Sequence, residues 1–186
     1  MINAKSRMSV CLQIGMVLFA AALAGSATAT ARGTSGHDAG VAVPFKGSVE
    51  GTDTYDVTHF PIMVIETTAG GVASHLGRYT VVSDLTADVR TGTAVGSAHF
   101  VAANGDSFDT TSTALGEAVG APAEGTTRVT ETHTITGGTG RFAGASGSFT
   151  LVRLAVFTGE PDGAGLFATA DTEGSFEGTI VLANGK

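Results

Sequence analysis

The chain has 186 residues, with 10 Lys and Arg against 17 Asp and Glu (net charge −7), one cysteine and 27 glycines. No Lys or Arg cluster occurs anywhere, so nothing in it neutralises a phosphate backbone or an anionic lipid surface, and nucleic acid is excluded as a partner. One cysteine also excludes an internal disulfide framework and a zinc–thiolate site.

Lys5 and Arg7 precede an apolar run from Val10 to Ala24, followed by the small-residue triplets Ala27-Thr28-Ala29 and Ala29-Thr30-Ala31. Charge, apolar run and cleavage site in that order read as a secretory signal. The run is shorter than the roughly 20 residues a spanning helix needs, so no stable membrane anchor is expected to remain after cleavage. Residues 1–31 are read as the signal, 32–43 as a flexible linker and 44–186 as one β-barrel domain. Cys11 leaves with the signal, and the mature chain carries 8 basic against 17 acidic residues. About 155 residues remain, enough for one full core. The expected location is the periplasm or the medium.

Thr, Val, Ala and Gly dominate the rest, and glycine punctuates it at short intervals, as in an antiparallel all-β domain. Phe45–Gly51 and Val57–Ile65 read as the first two strands. From His75 to Arg90 the chain alternates, with His75, Tyr79, Val81, Leu85 and Val89 on one face and Thr80, Asp84, Thr86, Asp88 and Arg90 on the other. Thr91-Gly92 turns it into Ala94–Ala103, where Phe100 and Ala102 alternate with His99 and Val101. Asn104-Gly105 reads as a hairpin turn with both residues at positive φ. Phe108–Leu115 follows, then a loop from Gly116 to Gly125, then strands at Thr126–Thr136 and Gly147–Phe157. The last run, Leu166–Leu182, holds Gly174 and Gly178, where a bend or bulge is expected. Gly47-Ser48-Val49-Glu50-Gly51-Thr52 is echoed by Gly174-Ser175-Phe176-Glu177-Gly178-Thr179. First and last strands that meet would close a barrel and remove its edges.

Between the strands ending at Thr136 and starting at Gly147, Gly138-x-Gly140-x-x-Ala143 matches the dinucleotide fingerprint in form. That fingerprint needs a helix to follow, and Gly144 and Gly147 prevent one. Phe142 stands where a calcium-binding β-roll repeat would carry aspartate. The glycines are instead expected to kink a barrel corner, with Phe142 and Phe149 plugging the core.

Gly137-Gly138-Thr139-Gly140-Arg141-Phe142-Ala143-Gly144-Ala145-Ser146-Gly147, with Ser74-His75-Leu76-Gly77-Arg78-Tyr79 and Ala102-Ala103-Asn104-Gly105-Asp106, resembles the allene oxide cyclase and dirigent superfamily. Within it the chain is most similar to the bacterial allene-oxide-cyclase-like barrels. The resemblance, over Phe45–Leu182, implies a closed antiparallel barrel of about eight strands with an apolar cavity, often a trimer.

Strand parity selects the candidate site. Val129, Glu131, His133 and Ile135 share a face, and an inward Glu beside an imidazole can be satisfied and can act as acid or base. Glu131, His133 and His75 are therefore the candidate catalytic residues. Tyr79, Phe100, Phe142, Phe149 and Arg153 are candidate ligand-lining residues. His59, His75, His99 and His133 lack ligand spacing within one element, so no metal is expected, and no cofactor motif is present. The apolar run Val152–Phe157 is two-sided, which points to a homo-oligomer, dimer or trimer. Three functions remain open: an exported barrel housing a small apolar molecule, a cofactor-independent cyclase or isomerase acting on an unsaturated lipid or polyketide-like substrate, and a ligand-free surface protein.

Overall fold

The computed structural model describes residues 40–120, 125–160, 162–163 and 166–183. The proposed signal segment and residues 32–39 of the linker lie outside these residues. Eight strands form one closed barrel in which each is antiparallel to its chain neighbours and the last pairs with the first. They are β1 (Val41–Asp56), β2 (Ile62–Ala73), β3 (Gly77–Asp88), β4 (Thr93–Ala102), β5 (Ser107–Val119), β6 (Thr126–Gly138), β7 (Ser146–Thr158) and β8 (Thr169–Leu182). Burial alternates along every strand, as in β3, where Tyr79, Val81, Ser83 and Leu85 are buried and the residues between them exposed. The interior is therefore filled by one residue in two, and no edge is left open.

The echoed segments meet at the closure. In the β1–β8 ladder Gly47 lies opposite Phe176 and Val49 opposite Gly174, and the absent Cβ of Gly47 makes room for the Phe176 ring. Gly174 and Gly178 do not produce a bulge: the β7–β8 register runs unbroken through both. A Cβ at either would strike the β7 backbone, at the Val152 carbonyl from Gly174 and the Ser148 carbonyl from Gly178. They permit close strand approach instead of a bend. The register shift lies elsewhere, between Asp109 and Thr110 on β5 against β6.

Several expected boundaries move. β1 begins at Val41, inside the expected linker. β2 is shifted along the chain and runs through Gly70-Gly71. A Cβ on Gly71 would collide with the Ser48 carbonyl, so this pair is a packing requirement inside a strand and not punctuation. β5 continues to Val119, through part of the expected loop. His75 is not on β3: it sits exposed in the β2–β3 turn with φ 61°. Parity carried back from Tyr79 fails there because the strand starts only at Gly77. In the β4–β5 turn only Gly105 has positive φ. Gly105 N–H donates to the Ala102 carbonyl and Ala102 N–H to that of Asp106, a three-residue hairpin loop with a bulge at glycine.

The glycine-rich corner carries a single 3-10 turn, Gly140–Phe142, and no α-helix follows it. Gly140 has φ 55°, and the Asp106 carboxylate occupies the place of a Cβ. Arg141 donates to the Leu76 carbonyl (3.2 Å) and lies 5.1 Å above the Phe142 ring. Phe142 is thereby driven into the barrel with no exposed surface. It caps a plug in which Phe108 stacks on Phe100 at 4.7 Å and Phe45 packs on Phe149 at 5.3 Å and on Phe176 at 5.1 Å. Outside, Val152 and Val156 on β7 are 42% and 43% exposed.

Candidate functional site

A polar layer crosses the barrel below the aromatic plug. Its hub is Arg153 on β7, 3% exposed. Its Nε donates to Glu131 Oε1 on β6 (2.6 Å), and its Nη1 to Thr172 Oγ1 on β8 (2.8 Å) and to Asp53 Oδ2 on β1. Asp53 also accepts from Thr67 Oγ1 on β2 (2.7 Å) and from the Tyr55 hydroxyl (3.2 Å). Beyond Glu131 the chain of contacts continues through His133. Its Nε2 lies 3.2 Å from Glu131 Oε2, off the line of a hydrogen bond, and its Nδ1 is 3.0 Å from Thr110 Oγ1 on β5. The imidazole is stacked on Phe149 at 4.7 Å with Phe100 edge-on at 6.1 Å, which fixes its plane.

The charges are set by mutual screening. Burial alone would push the Glu131 carboxyl up, but the His133 ring nitrogen and the Arg153 guanidinium outweigh it and hold the pKa at about 2. Burial works against the Arg153 cation, and Glu131 and Asp53 together overcome it and hold the proton more tightly. Burial, then the Asp53 charge, pushes the Tyr55 phenol up. Two carboxylates, one guanidinium and one imidazole thus share the buried layer.

One hydroxyl stands outside this network. Ser112 lies on β5 directly opposite His133, is 5% exposed, and its Oγ has no hydrogen-bond partner. Thr110, Ser112 and Ala114 are the buried, inward side chains of this stretch of β5. Past the polar layer lies a second apolar cluster of smaller residues, Leu85, Ala94 and Ala114, with Ile65, Ala87 and Val129 half-buried against it. Tyr55, Phe157 and Phe167 stand at the same end, with Phe157 stacked on Phe167 at 5.2 Å. Behind those rings the wall carries Ala94, Ala114 and Leu85, whereas the corner end is filled by phenylalanine rings throughout.

Glu131, His133 and Arg153, selected by parity or lining, come together here. Phe100 and Phe149 touch the layer through His133, while Tyr79 and Phe142 belong to the plug, Tyr79 donating to the Ser48 carbonyl (2.8 Å). His75 lies apart from them on the surface. Asp53, Thr67, Thr110, Ser112 and Thr172 were not selected. Asp53 and Thr67 lie outside the expected strands, and an isolated Asp or Thr in a β-run gives no sign of a partner that is 100 residues away, as Arg153 is from Asp53. His99 points outward and pairs with Asp109 at 2.7 Å. Among the described residues no group of three or more His, Cys, Asp or Glu is arranged to hold a metal ion. Two open grooves mark the outer wall, one along Lys46, Thr150 and Glu177, the other from Glu50 and Val72 to Arg128 and Leu154. Neither reaches Glu131, His133 or Ser112, but the second is lined in part by Arg153 and Thr172 of the polar layer.

No protein-family model, curated protein or solved structure matches the chain.

Proposed function

We propose that the barrel houses a small, largely apolar molecule, seated by Ala94, Ala114 and Leu85 against the polar layer. The observation that carries this is the unpartnered, buried Ser112 Oγ beside that cluster. A buried hydroxyl without a partner costs about 1–3 kcal/mol, a cost that a guest removes. Glu131, held ionised by His133 and Arg153, is a weak base, which favours binding over proton transfer. Export by the N-terminal signal, a homo-oligomer seated on the Val152–Val156 face, and kinship with the allene-oxide-cyclase-like barrels are parts of the same proposal. Filling that cluster tests it. 1-Naphthol, whose hydroxyl can pair with Ser112, should bind saturably to the protein, and Ala114→Phe should abolish that binding while cooperative unfolding is retained. No saturable uptake by the unaltered protein would sink the proposal.

A cyclase or isomerase is the second reading, favoured by the Thr110–His133–Glu131 chain of hydroxyl, imidazole and carboxylate. In it His133 moves the proton and Glu131 orients the ring, and His75, exposed on its turn, has no part.

A further inference from the structure

We infer that the barrel pairs with a second copy of itself about a two-fold axis running along β7, so that Arg128 of each subunit meets Glu173 of the other. The inference rests on the homo-oligomer reading just given and is independent of what the lumen holds.

It follows from the order of side chains across the outer wall. The outward positions of β7 are apolar three times running, at Val152, Leu154 and Val156, with both valines exposed and Leu154 half-buried. Among the described residues no other strand carries three large apolar side chains in succession on its outer face. A partner that takes such a stripe out of water is favoured by the burial. The charges beside the stripe select which partner. In the ladders Arg128 of β6 lies opposite Leu154, and Leu154 lies opposite Glu173 of β8, so one row reads cation, leucine, carboxylate. Arg128 and Glu173 are both exposed, and among the described residues neither makes an ion pair. Glu173 also stands directly opposite Glu50 of β1, a like-charge pair that a cation from outside the chain relieves.

The row is complementary to itself in one orientation. Turned about an axis along β7, a second barrel lays its β7 on the first, its β6 over β8 and its β8 over β6. Leu154 then packs on its own copy, and the Arg128–Glu173 contact forms twice, across the ~10 Å between packed sheets that the two side chains together span. Turned about an axis across the strands, the second barrel sets Arg128 against Arg128 and Glu173 against Glu173, and that repulsion disfavours it. A head-to-tail ring joins two different patches and leaves this self-complementarity unused.

The test is sedimentation equilibrium of the purified protein, which should show a monomer–dimer equilibrium. Arg128→Glu and Glu173→Arg should each raise the dimer dissociation constant at least about tenfold, because each sets two like-charge pairs in the interface. Arg128→Glu combined with Glu173→Arg puts opposite charges back at both contacts and should return the constant to near the parent's. With the axis across the strands the combined reversal leaves like charges facing and restores nothing. All three proteins differ from the parent only at exposed side chains, so their melting curves should match it. A parent that forms trimers, a dimer indifferent to the single reversals, or one that the combined reversal does not restore overturns the two-fold pairing and leaves the homo-oligomer reading standing. A parent that stays monomeric overturns both. Uptake of 1-naphthol should be the same in all four proteins, so the lumenal reading is decided separately.

Discussion

Arg153 is the residue on which the interior turns. It is the single cation of a layer holding Asp53 and Glu131, and all three are buried. Arg153→Ala should therefore cost about 3–5 kcal/mol in urea unfolding, because it strands two carboxylates. Removing the charges together, with Arg153→Met, Asp53→Asn and Glu131→Gln in one protein, should restore most of the loss. Glu131 also predicts a pH dependence with a definite sign. Its folded pKa is about 2, depressed from 4.5, so its contribution is complete above about pH 4.5 and is lost as the pH falls towards 2. Melting temperatures across that window should fall in the parent and fall less steeply in Glu131→Gln. Parity alone puts Glu131 and His133 on one face of the Thr126–Thr136 run with Val129 and Ile135. It leaves Arg153 undistinguished among the apolar residues of β7, because what gives it a role is partners on β1, β6 and β8.

At the level of elements, alternation was a good guide where a strand was uninterrupted and a poor one where glycine stood inside it. β3, β4, β6 and β7 fall within a few residues of their expected limits. β2 does not: it runs through Gly70-Gly71, which pack against the Tyr79 carbonyl of β3 and the Ser48 carbonyl of β1. Gly174 and Gly178 of β8 pack in the same way against β7. Gly174→Ala and Gly178→Ala should each destabilise by roughly 1–3 kcal/mol, since the added methyl meets the backbone of β7 and not a side chain that can swing away. A neutral result in thermal melts would mean that the β7–β8 ladder yields more easily than its geometry says. The corner is the opposite case, legible as a kink because a helix could not follow Arg141. Phe142→Ala should cost about 3–5 kcal/mol, the loss of a fully buried ring at the end of the plug.

The described residues form a barrel stoppered at one end by aromatic rings, with a charged layer between that plug and a smaller apolar cluster around Leu85, Ala94 and Ala114. If the N-terminal segment is the signal it reads as, the protein recovered after export should begin at Thr30 or Arg32, which its intact mass decides; a mass retaining Met1 would refute it. By itself the sequence determined the all-β class, the repeat of one glycine segment in the first and last strands, and the placing of Glu131 and His133 on one strand face with Val129 and Ile135. Those are local properties, since a period of two and a residue without Cβ constrain the chain wherever they occur. Only the tertiary structure decided that Asp53, Glu131 and Arg153 form one ion network, that His75 leaves the interior, and that Ser112 is the hydroxyl left without a partner. These depend on the register and stagger of strands brought together by barrel closure, and alternation within a single strand carries no information about them.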